Sequence, residues 1–358
     1  MDSSLALAPA PRRRLLPGLI GIGAFVIIAA AGLWWAKWSP YGNKLAELLS
    51  HPVWSGGVML NEAGAARSAP SLSGAWAFTK AYFDDIWPGF LAALGIAAAT
   101  ETLIPRRWLL RLLAKRSEAR GSLIGGLCAL PSLMCTCCTA PIAVTLRRDG
   151  VPTSAALAYW IGNPVLNPAV LAFLAVVAPW QWVLTRIIVG LALVFAGTAL
   201  VARFADRTPH REIELPPVRT VDPREAPVSF GRALAKLFVR LAPTYFVVIF
   251  LTGLFRGWLF PIDGTAVEWV VPSIIAAAVL GTLVVIPTAG EIPIVLGLAS
   301  AGVNVGVLGA LLITLPAISI VSMAMVARTL SVRVTLAMGA AVVGSGFLAA
   351  GLLWLLTR

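Results

Sequence analysis

Long apolar runs are the feature that most constrains this chain. Most of them reach the roughly 20 residues that a helix needs to cross a bilayer. A hydrophobic content of 59% with only 12% charged residues excludes a soluble fold. The sequence therefore predicts an all-α polytopic membrane protein. The runs lie near 16–36, 82–104, 122–146, 153–178, 181–204, 241–260, 268–298, 303–326 and 333–356.

The net charge of +12 comes from basic residues that form short clusters between the apolar runs. Membrane proteins retain such clusters on the cytoplasmic side. We therefore attribute the positive charge to cytoplasmic loops that set the membrane topology. We expect the lipid bilayer, not nucleic acid, as the partner. The first cluster, Arg12 to Arg14, precedes run 16–36, which is long for a secretory signal and lacks a convincing cleavage site. It predicts an N-terminal membrane anchor.

An internal repeat appears when the sequence is compared with itself at an offset of 152 residues. Two prolines and a glycine are preserved in register without a gap, which chance apolar similarity rarely produces. Pro141, Ile142, Leu146, Gly150, Val151, Ala158, Ile161 and Pro164 match Pro293, Ile294, Leu298, Gly302, Val303, Ala310, Ile313 and Pro316.

Two apolar runs, 122–146 and 268–298, are interrupted by helix-breaking residues. Such breaks free backbone groups inside the membrane, where they are tolerated beside a cavity or protein. Pro164 and Pro316 interrupt two further runs at matching positions of the repeat. The predicted structural breaks are Pro131, Pro141, Pro164, Pro287, Gly290, Pro293 and Pro316.

The basic residues favour one topology over another. If the two interrupted runs re-enter as hairpins, 21 of the 28 lysines and arginines lie inside, whereas nine full spans would put the basic segment 203–240 outside. We therefore expect seven full spans, two hairpins, a cytoplasmic N-terminus and repeats of opposite orientation, with nine spans as the alternative. The expected parts are an anchor and outer loop (1–81, the loop at 37–81), repeat 1 (82–204), a cytoplasmic linker (205–229) and repeat 2 (230–358).

Three cysteines within four positions, Cys135, Cys137 and Cys138, lie between two of these prolines. Thiolates in a non-helical break can bind one soft metal ion such as Cu(I) or Zn(II), so the group is a candidate metal and substrate site. The alternative is that buried cysteine simply packs as a small apolar residue. Cys128 is either a fourth ligand or, as we favour, a packing residue.

Glu291 lies in the second interrupted run, and an acidic side chain at that depth indicates a substrate or proton path. The alternative is a structural glutamate satisfied by backbone groups or by Arg186, although we expect Arg186 to extend toward the membrane interface near Trp180 and Trp182.

The Asn-Pro steps at Asn163 and Asn167 present amides within a span. These asparagines either line the pathway or bond neighbouring helices.

The segments CTCCTAPIAVTLRRDGVPTSAALAYWIGNPVLNPAVL and AGEIPIVLGLASAGVNVGVLGALLITLPAIS resemble the ArsP-type predicted permeases of the DUF318 group, over roughly residues 82–350. The resemblance implies a multi-pass permease of the bacterial inner membrane. It also implies relatives that export trivalent organoarsenicals and others linked to copper or zinc efflux. The family's cysteine motif commonly reads Cys-x-Cys-Gly, whereas Cys138 occupies the glycine position here and the second repeat has no cysteine.

We therefore predict a secondary-type permease, not an enzyme, that exports a soft metal or metalloid species, inorganic or organometalloid. No ATP-binding Gly-rich loop is present in the sequence, and we expect no cofactor other than a transported ion. The alternative is a membrane thiol-disulfide oxidoreductase that uses the clustered cysteines. A third hypothesis is a membrane scaffold without transport activity, but this would leave the matched breaks and Glu291 without a function. The coupling ion, the direction and the oligomeric state stay open.

Overall fold

The computed structural model describes residues 15–54, 70–104, 117–205, 225–259 and 270–358. Every regular element within these ranges is helical, which confirms the all-α membrane architecture. Six helical stretches are long and apolar enough to cross a bilayer, and a seventh is a pair bent by 51° at a short break. Large apolar side chains such as Ile27, Val239 and Leu348 lie exposed on the outer surface, where lipid would cover them.

The N-terminal helical stretch comprises α1 (Leu15–Leu33), a π-helical turn (Trp34–Trp38) and α2 (Ser39–Ser50). The predicted outer loop 37–81 is therefore wrong in its first part, because the helix continues through residues whose polar character we took as the end of a span. The middle of that loop, 55–69, lies outside the described residues.

Repeat 1 begins with α3 (Leu72–Leu103), ten residues earlier than predicted. The remaining helices follow in chain order, with one break after the first of them and another after the third. They are α4 (Glu118–Ala129), α5 (Thr136–Arg148), α6 (Thr153–Val165), α7 (Pro168–Val177), α8 (Trp180–Leu191) and, after the π-helical turn Ala192–Gly197, α9 (Thr198–Ala205).

Repeat 2 reproduces this order, and four of its helices begin 152 residues after their counterparts. α10 (Ala226–Leu259) corresponds to α3 and packs against it. Most of the linker between the repeats, 206–224, lies outside the described residues. The other helices are α11 (Val270–Leu283), α12 (Glu291–Ser300), α13 (Val305–Ala317), α14 (Ile320–Leu330) and α15 (Val332–Leu356).

The direction and the length of α4, α5 and α6 together favour a hairpin for the first interrupted segment. Gly121 meets Ser154 and Gly126 meets Gly162, so the two helices run parallel. Because α5 connects their opposite ends through short links, it must run back in the other direction. Its 13 residues extend only about 20 Å, short of the roughly 30 Å apolar core of a bilayer.

The second interrupted segment has the same geometry. α11 and α13 run parallel, because a Cβ on Gly306 would touch Ile274 and one on Gly281 would touch Thr314. α12 therefore returns between them. Both segments thus favour the hairpin topology over nine spans, while the distribution of the basic clusters at 105–116 and 206–224 falls outside the described residues.

Four helix breaks contain or closely follow a predicted break residue, but two of the predicted prolines lie within helices instead. The first hairpin breaks at residues 130–135 around Pro131, and the second at 284–290, which contains Pro287 and Gly290. Pro164 and Pro316 each stand just before the break between two helices. Pro141, in contrast, lies inside α5, and Pro293 occupies the first turn of α12, where its missing N–H would have no helical partner.

Candidate functional site

The two hairpin breaks meet at a cleft between the repeats. About 270 Å³ of unfilled space lies within it, part of which is open to the outside. Three pairs of its lining residues are related by the 152-residue offset, so the cleft lies where equivalent parts of the two repeats face each other. The lining residues are Cys135, Thr136, Pro164, Ile286, Pro287, Thr288, Ala289, Glu291, Leu315, Pro316 and Ser319.

Three helices begin at this cleft. Cys135 is the N-cap of α5, Gly290 is the N-cap of α12, and Ser319 caps α14 in a reciprocal capping box with Ser322. The first N–H groups of a helix lack helical partners and carry partial positive charge. The backbone therefore makes the cleft favourable for negative charge before any side chain is considered.

Cys135, Cys137 and Cys138 are buried, and the Cys135 thiol interacts with the thiols of both other residues. The Cys135 and Cys138 sulfurs lie 3.3 Å apart, and the Cys137 sulfur also lies 3.4 Å from the Ser319 hydroxyl. Within the described ranges, no group of three metal-ligating side chains is arranged to hold an ion. The three-cysteine metal site therefore stays a prediction. Cys128 is exposed on α4, away from the cluster, so it neither supplies a fourth ligand nor packs in the interior.

Glu291 forms a buried ion pair with Arg186, which corrects the expectation for that arginine. The distance from Arg186 Nη2 to Glu291 Oε1 is 2.7 Å, and the side chains are 0% and 2% exposed. Arg186 also donates to the carbonyls of Pro164 and Val165, which the break after α6 leaves free. The arginine does not extend to the interface, because carbonyls and a carboxylate satisfy it inside the protein. The pair joins α8 of repeat 1 to α12 of repeat 2.

The two asparagines lie beside the cleft rather than in it. The Asn163 side-chain carbonyl accepts from Met134 N at 2.9 Å, and its amide donates to Ser132, so it holds the first hairpin break in place. The Asn167 carbonyl caps α7 by accepting from Ala169 N at 3.1 Å. Asn163 thus bonds a neighbouring segment, as the second alternative proposed, whereas Asn167 caps its own helix.

Lys37 is a site residue that the sequence analysis missed. It was assigned to the outer loop, yet it is only 8% exposed, and its ammonium donates to Tyr41 at 3.1 Å and to the cleft residue Thr288 at 3.3 Å. A Cβ on Gly89 would lie 3.2 Å from Lys37 Nζ and 3.6 Å from the Cys138 sulfur. The ammonium and the thiol therefore flank the same small gap. A lone lysine within Trp34-Trp-Ala-Lys-Trp38 was the available signal.

Comparison with known proteins gives a consistent result. A family model described as a predicted permease, ArsP_1, matches residues 71–354. The chain is 38% identical over 333 residues to the UPF0718 protein YraQ of Escherichia coli (strain K12), which covers 92% of this chain and 93% of that protein. No solved structure matches. The N-terminal helices fall outside the family model, although most of the chain aligns with the Escherichia coli protein.

Proposed function

Because the chain belongs to the ArsP_1 family of predicted permeases, we propose that it is a secondary permease that exports a soft metal or metalloid species through the cleft between its two hairpin breaks. It is a multi-span helical membrane protein. We place it in the bacterial inner membrane with its N-terminus in the cytoplasm.

The matched lining of the cleft is the observation that carries this proposal. Cys135 corresponds to Pro287, Thr136 to Thr288 and Pro164 to Pro316 at the 152-residue offset, and all six line the cleft. A site between inverted repeats built from broken helices can open to either side when one repeat moves against the other. The buried ion pair between Arg186 and Glu291 crosses the same interface and would have to rearrange during that motion.

The chemistry of the lining supports a thiophilic substrate. Cys135 lines the cleft, and the Cys138 sulfur lies directly behind it at 3.3 Å. Two adjacent thiols at a helix N-terminus suit species that prefer sulfur ligands, such as trivalent arsenicals or Cu(I). The Cys137 thiol, which interacts with Cys135 and lies 3.4 Å from the Ser319 hydroxyl, would be a third ligand for the same species.

The test is resistance of a deletion strain to soft metals and metalloids. Strains complemented with wild type, Cys135→Ser or Cys137→Ser are compared, with Cys128→Ser as the matched control because Cys128 is an exposed cysteine of the same hairpin. We expect wild type and Cys128→Ser to restore resistance to at least one such species and the other variants to fail at equal expression. Resistance that none of the cysteine substitutions changes would contradict the proposed site.

The 3.3 Å separation of the Cys135 and Cys138 sulfurs also favours a second candidate, thiol-disulfide exchange. In that reaction the two thiols would pass two electrons and two protons to an incoming disulfide, which leaves as two thiols. A Cys138→Ser variant would then trap a mixed disulfide at Cys135 in cells. Substrate flux in liposomes without any change in thiol content would favour transport instead.

A further inference from the structure

Lys37 brings a full positive charge to the cleft without a compensating carboxylate. Its described partners are the neutral hydroxyls of Tyr41 and Thr288, and its ammonium also lies 5.1 Å from the Tyr41 ring centre. No salt bridge to Lys37 occurs among the described residues. Asp85 on α3 lies within electrostatic range of Lys37, but it is exposed and forms no ion pair with it.

The charges around the cleft do not balance. Glu291 is paired with Arg186, so that ion pair adds no net charge. Lys37 contacts no carboxylate among the described residues, so its positive charge has no direct counter-ion there, and the N-termini of α5 and α12 add to the positive potential. A buried ammonium with only neutral partners is unfavourable unless an anion completes its surroundings.

Arg186 supplies a second incomplete donor beside the cleft. Its side chain is fully buried, and its Nη1 has no hydrogen-bond partner among the described residues. Its other nitrogens bind the carbonyl of Pro164 and the carboxylate of Glu291, both of which line the cleft. Two cationic groups, from the N-terminal helix and from α8, thus retain capacity to bind an anion.

From this arrangement we propose that Lys37 completes an anion-binding site in the cleft, and that the occupant is a small oxyanion of a thiophilic element rather than a bare metal cation. This inference rests on the proposed function and narrows its substrate class. The Lys37 ammonium and the Thr288 hydroxyl bind the oxyanion's oxygens, while Cys135 lies beside its soft central atom. A cation such as Cu(I) would be repelled by Lys37 unless thiolates neutralised the charge.

The experiment measures uptake by purified protein in liposomes with three probes at pH 7: selenite as the anion, arsenous acid as the uncharged species and Cu(I) as the cation. The variants are Lys37→Gln, Lys37→Arg and Thr288→Val. Lys44→Gln on α2 is the matched lysine control, because Lys44 pairs with Glu47 away from the cleft lining. All variants keep the three cysteines, so any reaction of selenite with thiols is common to them.

We expect wild type to transport selenite, Lys37→Gln to lower selenite uptake at least about tenfold, and Lys37→Arg to retain most of it, because a charged hydrogen bond to the ligand is lost only in the first variant. Lys44→Gln should match wild type. Thr288→Val should weaken selenite uptake while leaving Lys37 in place, which keeps the test informative if Lys37→Gln does not fold.

Three results would overturn the inference. Transport of Cu(I) or arsenous acid without selenite would show that the substrate is not an anion, while leaving the proposed permease function intact. Equal loss of all probes in Lys37→Gln would mean that Lys37 only balances the thiols or stabilises the fold. Selenite uptake unaffected by Lys37→Gln would remove Lys37 from the site. Failure of wild type with every probe would instead count against the proposed function.

Discussion

Breaking the buried ion pair between Arg186 and Glu291 should destabilise the protein strongly. In Glu291→Gln, Arg186 keeps its charge at 0% exposure and loses its anionic partner. Removing one member of a buried pair typically costs about 3–5 kcal/mol because the other charge is left uncompensated. The exposed pair between Lys44 and Glu47, with side chains 21% and 47% exposed, offers a comparison for which we expect less than about 1 kcal/mol.

The assay is denaturant unfolding of the purified protein in one detergent, followed by helical circular dichroism. We expect a large decrease in the free energy of unfolding for Glu291→Gln and Arg186→Met, and a small decrease for Lys44→Gln. The double variant Arg186→Met/Glu291→Leu should lose less than the sum of the single effects, by about 2–3 kcal/mol, because it leaves no unpaired charge. Part of the loss in unfolding free energy should persist in the double variant, because the carbonyls of Pro164 and Val165 lose Arg186 as their hydrogen-bond donor. Single variants that unfold like Lys44→Gln, or strictly additive losses, would refute this account.

Two further predictions concern packing and the hairpin break. Gly125→Val should lower the melting temperature and the yield, because a Cβ there would overlap the Ala155 carbonyl, whereas Gly297→Val should be tolerated because nothing lies within 4 Å of a Cβ at that position. Asn163→Leu should cost about 1–3 kcal/mol in the same unfolding assay, because it leaves Met134 N without its acceptor, and unchanged stability would show that the break does not depend on this amide.

Most of the architecture was predictable because its causes are local or periodic. Apolar run length predicts spans, prolines predict where helices end, and the 152-residue repeat predicts two equivalent halves. The structure matches these points: α6 and α13 begin at Thr153 and Val305, in register with the repeat. Proline alone did not distinguish a break from a tolerated position, as Pro141 within α5 illustrates, because that depends on whether neighbours satisfy the freed carbonyl.

The site was less predictable because its contacts join residues far apart in the chain. Lys37 and Thr288 are separated by 251 positions, and a polar residue at the end of an apolar run is indistinguishable in sequence from the start of a loop. Arg186 lies near two tryptophans in the sequence, a pattern that is typical of residues at the membrane interface. Its burial became visible only when the carbonyls after α6 and the carboxylate of Glu291 were found around it.

The sequence by itself thus determined the membrane class, the helical spans, the internal repeat and the two interrupted hairpins, because hydrophobicity, proline geometry and periodicity act along the chain. The tertiary structure decided which polar groups share the cleft. It paired Glu291 with Arg186, brought the Cys137 thiol to Ser319 of the other repeat, and placed Lys37 near Cys138. The reason is physical: the position and role of a charge or thiol inside a membrane protein depend on the groups that bind to it, and those groups come from other helices.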